Sequence, residues 1–356
     1  MTTRSADASP YPRLLIDVGA IRRNYARIQS LTGTADVAAV VKADAYGLGA
    51  ATIAPALADA GAQHFFVANG REGASLRAAL GPDPSIFVLH GYWTEDAPLI
   101  EASGLIPVIN TPGQLQDWLN GSGGDFALHF DTGINRLGIP MSQLAAVQER
   151  CAERKPCLVM SHFACADEPG HRLNRDQIDR FAGVRAAFPG VRTSLANSAG
   201  CLLGGDALGD LVRPGIALYG GAPGSGKHPF ESAVQIEAPI LQVRRATRPE
   251  TAGYGATWCA EGDCMLATVA LGYADGIHRA AQNGGYGRLD GIKVPIAGRV
   301  SMDLITLDVT SAGDAAHPGA MVSFLGEDLD AFANASGTLA YEVLTRLGAR
   351  FERVYR

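Results

Sequence analysis

AAVVKADAYGLGAA, residues 38–51, runs an apolar, β-branched stretch straight into Lys42 and then into Asp44, Tyr46 and two glycines. Continuous apolar residues of this kind suit a strand covered on both faces, as in a parallel sheet. A lysine closing such a strand is either a solvated strand end, the commoner case, or a reactive amine. The rest of the chain decides between them.

Outward from this stretch, residues 13 to 220 alternate short β-rich runs with amphipathic segments, the pattern of repeated βα units. The runs are 13–18, 35–42, 64–69, 85–91, 105–110, 125–131, 157–163, 193–198 and 211–220. A (β/α)8 barrel needs eight, so one is to spare. Between them lie helical patterns such as GAIRRNYARIQSL and MSQLAAVQERCAE. After residue 230 strand-like runs follow one another with almost no helical pattern, until GTLAYEVLTRLGARF near the C-terminus. The expected fold is therefore α/β: a tail over 1–12, a (β/α)8 TIM-type barrel over 13–232, and a mainly β domain over 233–356. A doubly wound open sheet is the competing arrangement for the first part.

A net charge of −6 with no block of basic residues argues against nucleic acid or an anionic membrane as partner and favours small molecules. The six cysteines show neither C-x-x-C nor the spacing of a disulfide framework or zinc site, so reduced thiols and no metal are expected. No signal-peptide core and no long apolar run is present, which points to the cytoplasm. GAPGSGK at 221–227 imitates a phosphate-binding loop, but His228 stands where Ser or Thr is required and Pro229 follows. It reads better as an inter-domain turn.

Active sites of such barrels form at the C-terminal ends of the strands. There the sequence places Lys42, Asp131 with Arg136, His162, Asn197 with Ser198, and Arg213 with Gly215. Each has a bland explanation, as a cap, a core histidine or a surface ion pair. Together they put an amine, two guanidinium groups, an imidazole and a hydroxyl on one mouth. A lysine there can bond covalently to an aldehyde cofactor, of which pyridoxal phosphate is the common one. Tyr46, Ser198 and the Gly215–Ile216 peptide could hold its phosphate, and an arginine suits a substrate carboxylate. No acidic residue stands out as partner for the pyridine nitrogen.

VVKADAYGLG at 40–49 resembles the pyridoxal-phosphate attachment signature of the alanine racemase family. The likeness continues, in the family's order, through DTGINRLG (131–138), SHFACADE (161–168), ANSAG (196–200), VRPGIALYG (212–220), GYGATW (253–258), GYADGIHR (272–279), GRVSMD (298–303) and AYEV (340–343). It implies racemisation of alanine by two bases, Lys42 on one face of the cofactor and Tyr254 on the other. By the same resemblance, Tyr46, Ser198, Gly215, Ile216 and Tyr341 would hold the phosphate, with Asn197 beside them, and Arg213 would donate to the pyridine nitrogen next to His162. Arg136 and Met302 would meet the substrate, and Asp167, Tyr273, Arg279 and Arg299 would line the entrance. Members are homodimers, so Tyr254, Tyr273 and Met302 would arrive from the partner.

The family commonly has a lysine, often carbamylated, two residues before D-T-G, where this chain has His129; its frequent cysteine in GRVSMD is Ser301 here. Alternatives are a racemase of serine or of several small amino acids and a non-catalytic pyridoxal-phosphate carrier. A decarboxylase on the related scaffold would need a Cys-Asp pair, and neither Cys259 nor Cys264 precedes an aspartate.

Overall fold

The computed structural model describes residues 10–121, 123–224 and 226–356. Most of the expected tail, residues 1–9, and Ser225 of the 221–227 turn lie outside the described residues. The chain divides into two compact units: residues 21–218 with 222–230, and a second formed by the N-terminal segment up to Ala20, Tyr219–Gly221 and Glu231–Arg356.

The first unit is built on parallel strands. Ala39–Val40, His64–Val67, Ser85–Val88, Ile106–Ile109, Ala127–Asp131, Leu158–Met160 and Arg192–Ser194 follow one another as neighbours in a single sheet. The ring continues through Leu211–Val212, which pairs in parallel with Asp36–Val37 and is tied to the Arg192–Ser194 side by Arg213 N–H donating to Ala196 O at 2.9 Å. Counting 36–40 as one kinked strand, eight strands run round the barrel. Phe65, Phe66, Ile86, Val108, Leu128, Phe130 and Val159 are fully buried on them. That double-sided burial is why these strands read as unbroken apolar runs.

The second unit is mainly β. Its spine is the long strand Val234–Ala246, which pairs antiparallel with Met321–Leu325 through one half and with Cys264–Val269 through the other. Tyr286–Leu289 and Ile292–Pro295 form a hairpin whose two turn residues, Asp290 and Gly291, both have positive φ, as a tight Asp-Gly turn requires.

Arg13–Ile16, read above as the first barrel strand, belongs to this β unit. It pairs antiparallel with Val234–Ala246 and parallel with Glu352–Tyr355. It was the spare run: its apolar pattern marks a buried strand without saying in which sheet, and its partners lie more than two hundred residues downstream. Two further runs are shorter than expected. Residues 193–198 are extended only to Ser194, and 211–220 only to Val212. Pro214, which has no N–H to give to a ladder, precedes the single turn Ile216–Tyr219. The β unit also holds a helix not expected from the sequence, Leu329–Ala335.

Candidate active site

The segment after strand Ala39–Val40 turns left-handed. Ala43, Asp44, Ala45 and Tyr46 have φ of 53°, 55°, 53° and 57°. None is glycine, and for L-residues this conformation costs about 1–2 kcal/mol each, so the turn carries roughly 4–8 kcal/mol of strain. Local hydrogen bonds oppose it: Ala45 N–H donates to Val41 O (2.8 Å), Gly49 N–H to Asp44 O (2.9 Å) and Ala50 N–H to Asp44 Oδ1 (2.7 Å). Burial of Ala45, Tyr46 and Leu48 adds to this. Lys42 opens the turn at the strand's C-terminal end. Its pKa is lowered by desolvation first and then by the Arg136 guanidinium, while Glu72 acts in the opposite direction. A backbone strained to place one amine, and an amine pushed toward its neutral form, together favour the reactive reading of Lys42.

Arg213 is buried, 4% exposed, and its guanidinium donates to Ser194 Oγ, to Ser161 O (2.6 Å) and to His162 Nδ1 (3.3 Å). Since arginine only donates, His162 Nδ1 accepts and its proton sits on Nε2. Desolvation and the Arg213 charge hold His162 well below the usual histidine range. Burial lowers Arg213 to about 10, which leaves it cationic at neutral pH. Among the described residues no carboxylate forms an ion pair with it. Gln177, fully buried on the helix Arg172–Ala187, donates to His162 O (2.8 Å) and Thr132 Oγ1 (3.2 Å) and steadies this wall.

At His129 the network settles the tautomer. Asn110 gives both amide hydrogens away, to Leu89 O (2.9 Å) and Val108 O (2.7 Å), so its Oδ1 accepts from His129 Nδ1 at 2.8 Å. His129 Nε2 is then a bare acceptor, buried and without a hydrogen-bond partner among the described residues. Burial first, then the Arg213 charge, pushes His129 down to about 3. A neutral imidazole thus stands where the family commonly has a lysine, often carbamylated, and Arg136 is among the charges it feels.

Tyr46, Ser198 and Gly215 converge at the other end. Ser198 Oγ accepts from Gly215 N–H (2.8 Å) and Ala217 N–H (3.3 Å). A Cβ on Gly215 would clash with Tyr46 Oη, so only glycine lets the phenol lie there. Ile216 opens the short turn that follows. Asn197 Oδ1 accepts from Gly200 N–H (2.9 Å) and so caps the next turn. Asp167 is exposed on its loop, with its carbonyl close to Gly224 of the 221–227 turn. These residues fit pyridoxal phosphate: an amine, a buried guanidinium lacking an anionic partner, and a hydroxyl beside backbone N–H groups.

The β unit gathers a second group. Tyr254, 71% exposed, sits on a turn whose Gly253, Gly255 and Ala256 have φ of 74°, 75° and 49°. The Arg299 guanidinium lies over this turn, within 3.0 Å of a Cβ placed on Gly255. Tyr273 N–H donates to Ser301 O (3.0 Å) and Ala274 N–H to Met302 O (2.9 Å). The 298–304 loop therefore joins Tyr254, Arg299, Tyr273 and Met302, the last of which is 53% exposed. Exposed Arg279 opens a neighbouring turn, and Tyr341 lies on the helix Ala340–Thr345.

Models of "Alanine racemase, N-terminal domain" and "Alanine racemase, C-terminal domain" match residues 16–223 and 233–355. The chain belongs to the alanine racemase family. An alanine racemase of Rhizobium meliloti is 46% identical, with 96% of each chain covered. The crystal structure of alanine racemase from Bartonella henselae with covalently bound pyridoxal phosphate superposes with a TM-score of 0.92 at 34% identity, covering 98% of this chain and all of that one. The biosynthetic alanine racemase of Pseudomonas aeruginosa gives 0.92 at 35% identity over the same shares.

Asn110, Thr132, Ser161, Ser194, Gln177 and Glu72 were not among the residues singled out from the sequence. Thr132 and Ser161 lie within the quoted DTGINRLG and SHFACADE segments, and Glu72 closes N-G-R-E at 69–72, which has the spacing of a helix capping box.

Proposed function

We propose that Lys42 and Tyr254 are the two acid–base groups with which this chain, a pyridoxal-phosphate-dependent alanine racemase, inverts the α-carbon of alanine. The cofactor, when bound, supplies the electron-withdrawing ring that makes the α-hydrogen acidic enough to leave. Everything else is the work of side chains. Inversion needs a proton taken from one face and one returned to the other, hence two groups. Lys42, its pKa lowered by burial and Arg136, serves one face, and the Tyr254 phenol serves the other. Arg136 holds the substrate carboxylate with two parallel hydrogen bonds, and Met302 packs beside the substrate. Arg213 donates to the ring nitrogen, with His162 fixed behind it. Tyr46, Ser198, Gly215, Ile216 and Tyr341 hold the phosphate, with Asn197 shaping the loop, and Asp167, Tyr273, Arg279 and Arg299 line the approach.

The enzyme works as a cytoplasmic homodimer in which the β unit of one copy completes the other's site. Among the described residues no helix is long and apolar enough to cross a membrane. The observation that carries the reading is the left-handed turn: backbone strain holds Lys42 at a mouth that has two guanidinium groups and, among the described residues, no carboxylate paired with Arg213. Tyr254, large and exposed on its own strained turn, supports the second role. The test is Tyr254→Phe. Racemisation should fall about 10²- to 10⁴-fold, the usual worth of a positioned acid–base group, while solvent deuterium still enters the α-position of one enantiomer only. Racemisation at the wild-type rate would refute the assignment.

A further inference from the structure

We propose that Glu72 is a positioning residue for Lys42: its carboxylate staples the left-handed turn to the neighbouring strand and so sets where the amine stands. The inference rests on the role given to Lys42 above and adds a residue to it. The two carboxylate oxygens serve two different segments. Oε1 accepts from Ala43 N–H at 3.2 Å, the first residue after Lys42, and Oε2 accepts from Ala68 N–H at 2.9 Å, just past the strand His64–Val67. That strand is paired with Ala39–Val40, the strand leading into Lys42, and Val41 N–H donates to Phe66 O at 3.0 Å. Glu72 therefore carries the pairing of the two strands one step beyond the point where their ladder ends.

Glu72 is itself held in place. Asn69 caps the helix Gly70–Leu80 by accepting from Glu72 N–H at 3.0 Å. At the next residue a Cβ on Gly73 would stand 2.7 Å from Leu105 Cδ1, so the helix is seated closely there. In a capping box the glutamate would turn back to the N-cap N–H. Here it reaches instead to Ala68, one residue earlier, and across to Ala43. Only a carboxylate offers two acceptors for two N–H groups on separate segments. An amide would present one acceptor and one donor, and the donor would face an N–H. The charged groups acting on Lys42 are Arg136 and Glu72, and the titratable His162 across the site is held neutral. Glu72 is the one that favours the protonated amine.

The test uses the full chain, stripped of cofactor with hydroxylamine and dialysed, and follows capture of pyridoxal phosphate by its visible absorbance from pH 6 to 10. Glu72→Gln, Glu72→Ala and the wild type are compared with Leu115→Ala, a fully buried position on the helix Pro112–Gly121 whose apolar side chain offers no hydrogen bond to the Lys42 turn. Both Glu72 variants should capture the cofactor about 10- to 100-fold more slowly on the alkaline plateau, the effect of losing a hydrogen bond to a charged group. In Glu72→Gln the midpoint of the pH profile should also move to lower pH, because the amine has lost a negative neighbour. Leu115→Ala should lower thermal stability and leave both quantities in place. If Glu72→Ala does not fold, the near-isosteric Glu72→Gln decides. Capture by Glu72→Gln at the wild-type rate, or slower capture with an unmoved midpoint and a loss no larger than that of Leu115→Ala, would overturn the proposal and leave the role of Lys42 intact. Failure of the wild type to take up pyridoxal phosphate at Lys42 would overturn both.

Discussion

His129→Asn should flatten the acid side of the stability profile. An asparagine amide can take the place of Nδ1 and keep donating to Asn110 Oδ1, but it cannot bind a proton. The folded chain holds the imidazole at about 3, against about 6.5 for an unfolded histidine. Below pH 6.5 the unfolded chain takes up a proton that the folded chain refuses, so the contribution is complete above pH 6.5 and is lost as pH falls toward 3. Between pH 7 and pH 5, those two values amount to a loss of about 2 kcal/mol from this one residue. Urea unfolding followed by circular dichroism at pH 7, 6 and 5 measures it. With a urea slope of about 2–3 kcal/mol per molar, the wild-type midpoint should fall between pH 7 and 5 by about 0.7–1 M more than that of His129→Asn. The variant's absolute stability is lower by whatever space the ring leaves, and that offset is common to all three pH values. Parallel pH dependences in the two proteins would refute the neutral, buried histidine.

Two glycines give sharper local tests. Gly215→Ala places a methyl group against Tyr46 Oη and should weaken pyridoxal-phosphate binding at least about tenfold, since displacing the phenol removes about one hydrogen bond's worth of affinity; equilibrium dialysis reads it, and unchanged affinity would remove Tyr46 from the phosphate site. Gly272→Ala drives a methyl group into the Met302 carbonyl, where backbone cannot yield cheaply, so the Tyr273 and Met302 loops must part. Sedimentation velocity should show the dimer loosened, by about 1–3 kcal/mol as for overpacked sites in general, while a dimer of wild-type affinity would show that these loops do not meet a partner.

Much of the barrel was legible because parallel strands buried on both faces write themselves as apolar runs, and the C-terminal ends of those runs are where such barrels form their mouth. Lys42, His162 and Arg213 were singled out on that ground. The misplacement of Arg13–Ile16 has the same origin: a buried strand carries no label for its sheet when its partners, such as Glu237 and Glu352, lie far along the chain. The left-handed turn was illegible for a different reason. Ala43, Asp44, Ala45 and Tyr46 have no glycine among them, and what holds them there is burial, bonds within the turn and the tertiary bond from Ala43 to Glu72, none of which a local sequence pattern displays. Asn110, which fixes the tautomer of His129, and Gln177, which bonds the His162 carbonyl, escaped notice because a buried amide looks, in sequence, like any polar residue near a loop. The substitution at His129 was visible, but its meaning was not. Whether that imidazole would be charged depended on burial and on the Arg213 charge, both of them properties of the fold.

Covalent binding of the cofactor by the amine of Lys42, at the start of the strained turn, is tested by borohydride reduction of the purified enzyme followed by peptide mass mapping. A reduced pyridoxyl group should appear on the peptide containing Lys42 and on no other lysine. An active, reduced protein carrying the label elsewhere, or none at all, would contradict it.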